Sequence, residues 1–367
     1  MRLFSAVLRT ELRRRIDWPL LGSALVLLVV GMITLWSASA VQPGHAAFWR
    51  QTTWLILAVP AFALFLFMDP RSWCYHRKWV YGVNIAMLVG VRLFGSERGG
   101  AQRWFDLGPF DMQPSEPAKL LLILTLADML ARHQETLRTP RTFALSLLHV
   151  LPIFLLVLFQ PDLGTSLVLI CIWFGMSLVA GQRLRFLFGF IAIGALLFTA
   201  AWNVGVIRDY QKQRILDLLS GKGSYHAKVA ELSIAKGRVV GEGFAQGSLK
   251  EAGIVPVQTS DFIFTVVAEE GGFVASFFII AAYALFLWRV WAVVLNATVP
   301  LFRSMAAGIF TLFSFHVLVN LGMVVGLLPI VGVPLPFMSY GGTAMLLNFA
   351  LLGLLLNLRS REKNLVF

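Results

Sequence analysis

Long apolar runs separated by polar segments dominate the chain. The runs cover residues 18–40, 48–68, 78–94, 117–131, 142–159, 163–180, 184–204, 262–288, 300–328 and 342–358. A helix of about 20 residues crosses the hydrocarbon core of a bilayer, and most of the runs approach that length. The pattern therefore predicts an all-α, polytopic membrane protein with about ten transmembrane helices. The runs at 78–94 and 117–131 are short for a span.

One polar segment, residues 205–261 between the seventh and eighth runs, is too long for an ordinary connection. Short helices, in part amphipathic, are predicted at 209–219 and 224–236, and glycines recur between Gly237 and Gly253. The segment carries the basic residues Arg208, Lys212, Arg214, Lys222, Lys228, Lys236, Arg238 and Lys250. Such a segment suits the phosphate groups of a lipid, although each single lysine is more simply interpreted as solvated.

The distribution of basic residues predicts how the spans are oriented. Lysine and arginine concentrate near the N-terminus and in the segments 71–78, 132–141, 183–185, 289–303 and 359–363. Because cytoplasmic loops carry an excess of these residues, both termini are predicted to be cytoplasmic, and the long 205–261 loop is predicted to be extracytoplasmic. The predicted domain organisation is a cytoplasmic, basic amphipathic segment at 1–16, one transmembrane domain at 17–358 and a cytoplasmic tail at 359–367.

Composition excludes several classes of function. The chain is 58% hydrophobic and only 14% charged, which a soluble domain could not bury. The net charge of +12 does not indicate a nucleic-acid partner, because most basic residues flank apolar runs. Cys74 and Cys171 lie in different segments and indicate neither a disulfide framework nor a metal site. Nucleotide-binding motifs are absent, so a donor substrate must bring its own activated group.

Polar residues at the outer ends of several runs are the candidate functional residues. Residues 95–116 hold glycines and prolines that exclude a regular helix. Glu116 and Lys119 lie three residues apart at a predicted helix start, so they share a face and can pair. A structural pair is the simpler interpretation, but a lysine inside an apolar run is costly and favours function. Asp162 lies in a tight Pro-Gly turn and could cap the next helix.

Asp261 lies where the long loop meets the eighth run, a position at which it could cap a helix or act on a substrate at the membrane surface.

Residues 328–343 combine three prolines and three glycines in an apolar region, which predicts a non-helical wall of an outward cavity. Asp128 and Arg132 are predicted to form a structural pair. His316 and Asn320 are predicted to form hydrogen bonds between helices.

Together these motifs resemble the SEDS family (shape, elongation, division and sporulation), over nearly the whole chain. The matching motifs are Gly100–Trp104, Gln113–Glu116, Gln160–Ser166, Asp261–Phe264, Ala268–Glu270 and Gly332–Gly342. The short tails and the last motif resemble the elongation members more than the division members. The chain departs from the family at Thr259-Ser260, where the family often has His-Thr, and at Gly271, where a leucine is usual.

The resemblance implies a peptidoglycan glycosyltransferase of the bacterial cytoplasmic (inner) membrane. It would polymerise lipid II into glycan strands during cell elongation and release the undecaprenyl pyrophosphate carrier. Implied partners are the growing glycan strand, membrane lipids, the elongation machinery and a class B penicillin-binding protein, which is a transpeptidase. That partner is expected on the lipid-facing side of the later helices, with Phe277, Phe286 and Trp288 as candidate contacts.

The resemblance also implies roles for single residues. Asp261 falls on the essential aspartate of the family and is predicted to be the catalytic general base. The predicted substrate-binding residues are Arg103, Trp104, Glu116, Lys119, Asp162, Thr165, Ser260, Ser339 and Tyr340. No metal ligands are predicted, although a divalent cation such as Mg²⁺ could assist a phosphorylated donor.

Three alternatives remain open from the sequence. A flippase for the lipid-linked precursor would suit broken spans and buried charges, but the acids cluster at one face. A non-catalytic scaffold would recruit a partner through its helices without needing several polar residues at one membrane level. The division paralogue would perform the same chemistry at a different place in the cell.

Overall fold

The computed structural model describes residues 16–98, 101–106, 108, 110–205, 212, 216, 225–254 and 257–365. The predicted amphipathic segment at 1–16 lies almost wholly outside the described residues. The same holds for most of the predicted helix at 209–219 and for Arg208, Arg214 and Lys222.

Helices make up most of the described chain. In order they are α1 (Trp18–Ala38), α2 (Ala46–Phe67), α3 (Pro70–Tyr75), α4 (Arg77–Phe94), α5 (Ser115–Arg132), α6 (Pro140–Leu158), α7 (Leu163–Ala180), α8 (Leu184–Val204), α9 (Tyr225–Gly237), α10 (Ser248–Glu251), α11 (Ile263–Asn296), α12 (Pro300–Val324) and α13 (Gly342–Leu365). A long helix lies at every predicted span. Within the described residues, eight helices are long and apolar enough to cross a membrane. The helices α4 and α5 fall short because each carries at least three charged residues.

The segment before α5 forms a small antiparallel sheet, which the sequence did not predict. Its strands are β1 (Ser96–Arg98), β2 (Ala101–Asp106) and β3 (Asp111–Met112), in that spatial order. Side chains support the first turn, because Gln102 Nε2 donates to the Gly95 carbonyl at 2.7 Å. As expected from its glycines and prolines, the segment contains no helix among its described residues, and three short strands form in it instead.

The helices pack closely where small residues let the backbones approach. A Cβ added at Gly353 of α13 would lie 2.4 Å from the Phe62 carbonyl oxygen of α2, and one added at Gly175 of α7 would lie 2.0 Å from Thr311 of α12. Such contacts are typical of membrane helix packing. Most side chains of α5 are buried although this helix is charged, whereas Leu187 is the one buried residue of α8.

The long helix α11 is interrupted at Gly272, whose φ of 63° and ψ of −159° are open to glycine alone. The loop that precedes α11 forms hydrogen bonds with backbone groups around this interruption. The amide of Glu242 donates to the Glu269 carbonyl at 2.9 Å, and the amide of Phe273 donates to the Arg238 carbonyl at 2.9 Å. The loop is therefore docked on the interrupted turn.

The predicted non-helical wall is present between α12 and α13, because residues 325–341 contain no helix. We call residues 329–341 the wall. It lies against the first helix, since a Cβ added at Gly31 of α1 would lie 2.5 Å from Met338 Cα. A neighbouring contact ties the start of α13 to α2, where a Cβ at Gly342 would meet the Trp54 ring at 2.1 Å.

Ion pairs lie at the end of the bundle that carries the two chain termini. Asp128 accepts a hydrogen bond from Arg132 at 2.8 Å, which confirms the predicted pair. Asp17 accepts from Arg289 at 2.6 Å and caps α1. Cys74 is a free thiol nearby, and its burial raises its pKa to about 12, so it stays protonated.

Candidate active site

Two non-helical segments run side by side at the end of the bundle opposite the termini. One is the wall, and the other, residues 257–262, we call the aspartate loop. Ser339 Oγ donates to the Ser260 carbonyl at 2.7 Å, and the Tyr340 amide donates to the Thr259 carbonyl at 2.8 Å. The Ser339 hydroxyl also accepts from the Leu335 amide at 2.8 Å, which closes a turn within the wall. The predicted residues Ser260, Ser339 and Tyr340 thus hold the two segments together.

Asp261 lies at the centre of the aspartate loop and is partly exposed. Helix α11 begins at Ile263, with Phe262 at the N-cap position and no side-chain capping bond. Asp261 therefore does not occupy the N-cap position that was the alternative to a catalytic role, because the turn continues one residue beyond it. A Cβ added at Gly332 would lie 3.3 Å from Asp261 Oδ2, so the carboxylate lies directly beside the wall backbone.

Asp162 both caps a helix and forms an ion pair. Its carboxylate accepts from the amide and the hydroxyl of Thr165, each at 3.0 Å, which caps α7 as expected. Arg103 Nη1 of β2 lies 3.6 Å from the same carboxylate. The Arg103 Nε is buried and lacks a partner among the described residues, so the guanidinium retains a free donor.

Gln113 connects the segment before α5 with Asp162 at the start of α7 and with Thr343 of α13. The sequence predicted no role for Gln113 except as part of a family motif. Its side chain donates to Asp162 at 3.1 Å, and its amide donates to Thr343 Oγ1 at 3.1 Å. The start of α7 also lies on the wall, because a Cβ at Gly164 would lie 2.7 Å from the Val331 carbonyl oxygen. The start of α7, which Asp162 caps, and the Asp261 carboxylate therefore lie beside adjacent wall residues.

Glu116 and Lys119 form the predicted pair at the start of α5. The Nζ and Oε1 atoms are 2.7 Å apart, and both side chains are buried. The second carboxylate oxygen of Glu116 has no partner among the described residues. A buried ion pair recovers its desolvation cost poorly, so such an unsatisfied oxygen indicates a site rather than a fold requirement.

Trp104 is the predicted residue that the structure does not bring to this cluster. Successive side chains of a strand point to opposite faces, and Arg103 points to Asp162. By this alternation the Trp104 side chain is on the face opposite to that of Arg103. Its backbone carbonyl accepts from Ser96 Oγ at 3.2 Å. The sequence motif alone could not distinguish the two neighbours, because the sheet itself was not predicted.

A second polar cluster joins the loop to the bundle. Lys250 of α10 is fully buried, and its Nζ donates to Glu270 Oε1 at 2.6 Å and to Ser37 Oγ at 2.8 Å. Glu269 accepts from the Leu249 amide at 2.6 Å. The expectation that loop lysines are solvated is wrong for Lys250, because the loop docks on the interrupted helix. Nearby, hydrogen bonds from Ser248 lower the pKa of exposed Glu242.

The acids of the site do not form a metal cage. Within the described residues, no group of three or more His, Cys, Asp or Glu side chains could hold a metal ion. Asp162 and Glu116 each face a cationic side chain instead. A dedicated protein site for a divalent cation does not fit this arrangement, and phosphates of a substrate are the ligands that Mg²⁺ commonly uses.

Comparison with known proteins covers nearly the whole chain. The family model described as cell cycle protein, FTSW_RODA_SPOVE, matches residues 18–364. The peptidoglycan glycosyltransferase MrdB of Escherichia coli (strain K12) is 32% identical, over 95% of this chain and 95% of its own length. Among solved structures, a chain from work on "Structural coordination of polymerization and crosslinking by a peptidoglycan synthase complex" is 30% identical. Its TM-score is 0.82, and the match covers 95% of this chain and 98% of that one. The rod shape determining protein RodA of Thermus thermophilus is also 30% identical, with a TM-score of 0.70 and coverage of 94% and 96%.

Proposed function

The chain belongs to the FtsW/RodA/SpoVE family of cell cycle proteins and is a peptidoglycan glycosyltransferase, and from this premise we propose that it polymerises lipid II with Asp261 as general base. Relatives named for this activity match almost end to end, so the activity of the whole relative applies to the whole chain. We assign this polymerisation to cell elongation, because relatives and solved structures named MrdB or RodA are among the matches.

The placement of Asp261 is the single observation that carries the catalytic assignment. Its carboxylate lies beside the wall backbone at Gly332, in a turn where it caps no helix. The Arg103–Asp162 pair lies at the start of α7, whose Gly164 contacts the neighbouring wall residue Val331. A carboxylate beside the wall, on a protein whose Arg103 and Lys119 are paired with other acids, suits a substrate with a sugar, a pyrophosphate and a lipid tail.

The chemistry needs one base and a stabilised leaving group. Asp261 takes the proton of the acceptor sugar hydroxyl as its oxygen attacks the anomeric carbon of the donor. The bond from that carbon to the pyrophosphate breaks, and direct displacement of an α-linked donor forms a β-linkage. Undecaprenyl pyrophosphate leaves with the bonding electron pair. Arg103, which retains a free donor, and Lys119 are the cations we assign to its developing charge.

We further propose that the bundle lies in the bacterial cytoplasmic membrane with both termini in the cytoplasm. The wall and the aspartate loop then face the extracytoplasmic side, where lipid II presents its sugars. A class B penicillin-binding protein is the proposed partner, in line with the matched synthase complex. Phe277 and Trp288 of α11 are exposed and suit this contact, whereas Phe286 is fully buried against Phe313 and is no longer a candidate.

Asp261→Asn tests the catalytic assignment. The substitution keeps the size of the side chain but removes the base, so polymer formation from lipid II by the purified protein should fall by about 100- to 10,000-fold. Thermal unfolding should change little, because Asp261 caps no helix. The matched control is Asp128→Asn at the opposite end of the bundle, which should keep its polymerase rate. Polymerisation by Asp261→Asn within a few-fold of the wild-type rate would contradict the assignment.

A further inference from the structure

The aspartate loop needs support from other elements, because it belongs to no helix. Residues 257–262 form turns, and α11 begins after them without a side-chain cap. A general base must nevertheless be held within a fraction of an ångström of its productive position. A residue of another element must therefore hold Asp261 in place relative to the wall.

Asn320 of α12 makes the relevant contacts. It is fully buried, and its Nδ2 donates to the Asp261 carbonyl at 2.8 Å and to the Val333 carbonyl at 2.8 Å. A side-chain amide has two hydrogens on this nitrogen, and both are used. One side chain therefore joins the residue that carries the carboxylate to the wall residue next to Gly332.

The helix that carries Asn320 is itself fixed to the wall. One turn earlier, His316 Nδ1 lies 3.0 Å from the Pro334 carbonyl oxygen. From α11, the Tyr283 hydroxyl donates to the Pro336 carbonyl at 2.6 Å. A segment without helix or sheet must satisfy its carbonyls through side chains, and these bonds do so. These bonds hold the wall against α11 and α12, and Asn320 connects the Asp261 backbone to the wall.

We propose that Asn320 is a positioning residue for catalysis, which sets the distance between the Asp261 carboxylate and the wall backbone at Gly332. The inference rests on the proposed role of Asp261 as base. Asn320 itself is buried behind the loop and acts through the Asp261 backbone. Its loss should therefore affect the rate of the chemical step more than the binding of the substrate.

The chain offers a matched control in Asn357 of α13. This residue is also buried, and its Nδ2 also bridges two backbone carbonyls, those of Phe65 at 2.9 Å and Met68 at 2.5 Å. It lies at the opposite end of the bundle, near the paired residues Asp69 and Arg361. Leucine keeps the branched shape of the side chain and removes the two donated bonds at either position. At position 357 it also removes the bond that Asn357 Oδ1 accepts from Arg361 Nε at 2.8 Å.

The experiment compares Asn320→Leu with Asn357→Leu in the purified full-length protein, with lipid II as substrate. Both variants should lose thermal stability, and Asn357→Leu at least as much as Asn320→Leu, because it also loses the bond from Arg361. Asn320→Leu should lower kcat by about 10- to 100-fold with little change in KM, because small misplacements of a catalytic group have effects of this size. It should also shift the pH profile of kcat. Asn357→Leu should leave kcat, KM and the pH profile unchanged.

A second pair, Asn320→Ser and Asn357→Ser, repeats the comparison if the leucine variants do not fold. Equal loss of kcat in both members of a pair, or a kcat of the Asn320 variant within two-fold of wild type, overturns the proposal. The double variant Asp261→Asn/Asn320→Leu should be no slower than Asp261→Asn alone. If Asp261→Asn is inactive and Asn320→Leu is active, the positioning role fails and the base stands. If Asp261→Asn is active, the base itself fails.

Discussion

At the scale of single residues, spacing along a helix predicted local pairs but not pairs between elements. The i,i+3 spacing of Glu116 and Lys119 predicts their contact, and the structure has it at 2.7 Å. The Arg103–Asp162 pair depends on where the sheet places β2 relative to α7. Strand alternation then decides that Arg103 and not Trp104 faces the site. Neither fact follows from local spacing, because both require the tertiary arrangement.

Lys119→Ala should reduce both stability and polymerisation. Removing one partner leaves the buried Glu116 carboxylate uncompensated, which typically costs about 3–5 kcal/mol. Chemical denaturation and the polymerisation rate would measure the two effects. The exchange Glu116→Lys/Lys119→Glu should recover stability but not activity, because the cation has moved. Lys236→Ala is the control, since its pair with Glu242 is partly exposed. Full activity in Lys119→Ala would remove the role assigned to it.

At the scale of elements, apolar runs predicted the long helices because length and continuity of apolar residues are sufficient signals for a span. Which face of each helix is buried in the bundle and which is exposed could not be predicted. Helix α11 is almost uniformly apolar from Phe273 to Trp288, so its sequence does not distinguish buried Phe286 from exposed Phe277. Nor could the burial of Lys250 be predicted, because it results from docking of the loop on the interruption at Gly272.

Lys250→Met should destabilise the protein by about 3–5 kcal/mol, because it leaves the Glu270 carboxylate buried without its cation. The double variant Lys250→Met/Glu270→Leu should recover most of this loss, since an apolar pair of similar volume often replaces a buried ion pair well. Chemical denaturation followed by tryptophan fluorescence would measure both. Lys228→Met, at an exposed position of α9, should have little effect. A double variant no more stable than the single one would show that the pair is not the relevant contact.

At the scale of the whole molecule, the positions of the spans and the distribution of basic residues together predict the topology. The described helices agree with the predicted spans, and the wall and the aspartate loop lie at one end of the bundle. The small sheet before α5 was not predicted, because strands of two to six residues give little periodic signal.

A reporter fused after Phe367 should be active only in a form that works in the cytoplasm. The same reporter inserted at Gly253, in the extracytoplasmic loop, should be active only in a form that works outside the membrane. The physical reason is the excess of lysine and arginine in the segments on the side of the termini. Periplasmic-type activity of the fusion after Phe367 would overturn the orientation and, with it, the access of lipid II to Asp261.

The contact of the wall with the first two helices has a consequence for biosynthesis. The wall and α13 are the last parts of the bundle to leave the ribosome, yet they pack against Gly31 of α1 and Trp54 of α2, which are among the first. The surfaces of α1 and α2 that contact the wall and α13 therefore lack these partners until residues 329–365 have been translated. The nascent chain carries Asp261 long before it carries Gly332. Competence for polymerisation is thus expected only after the wall has been translated, and we expect a ribosome-bound fragment that stops before the wall to be inactive.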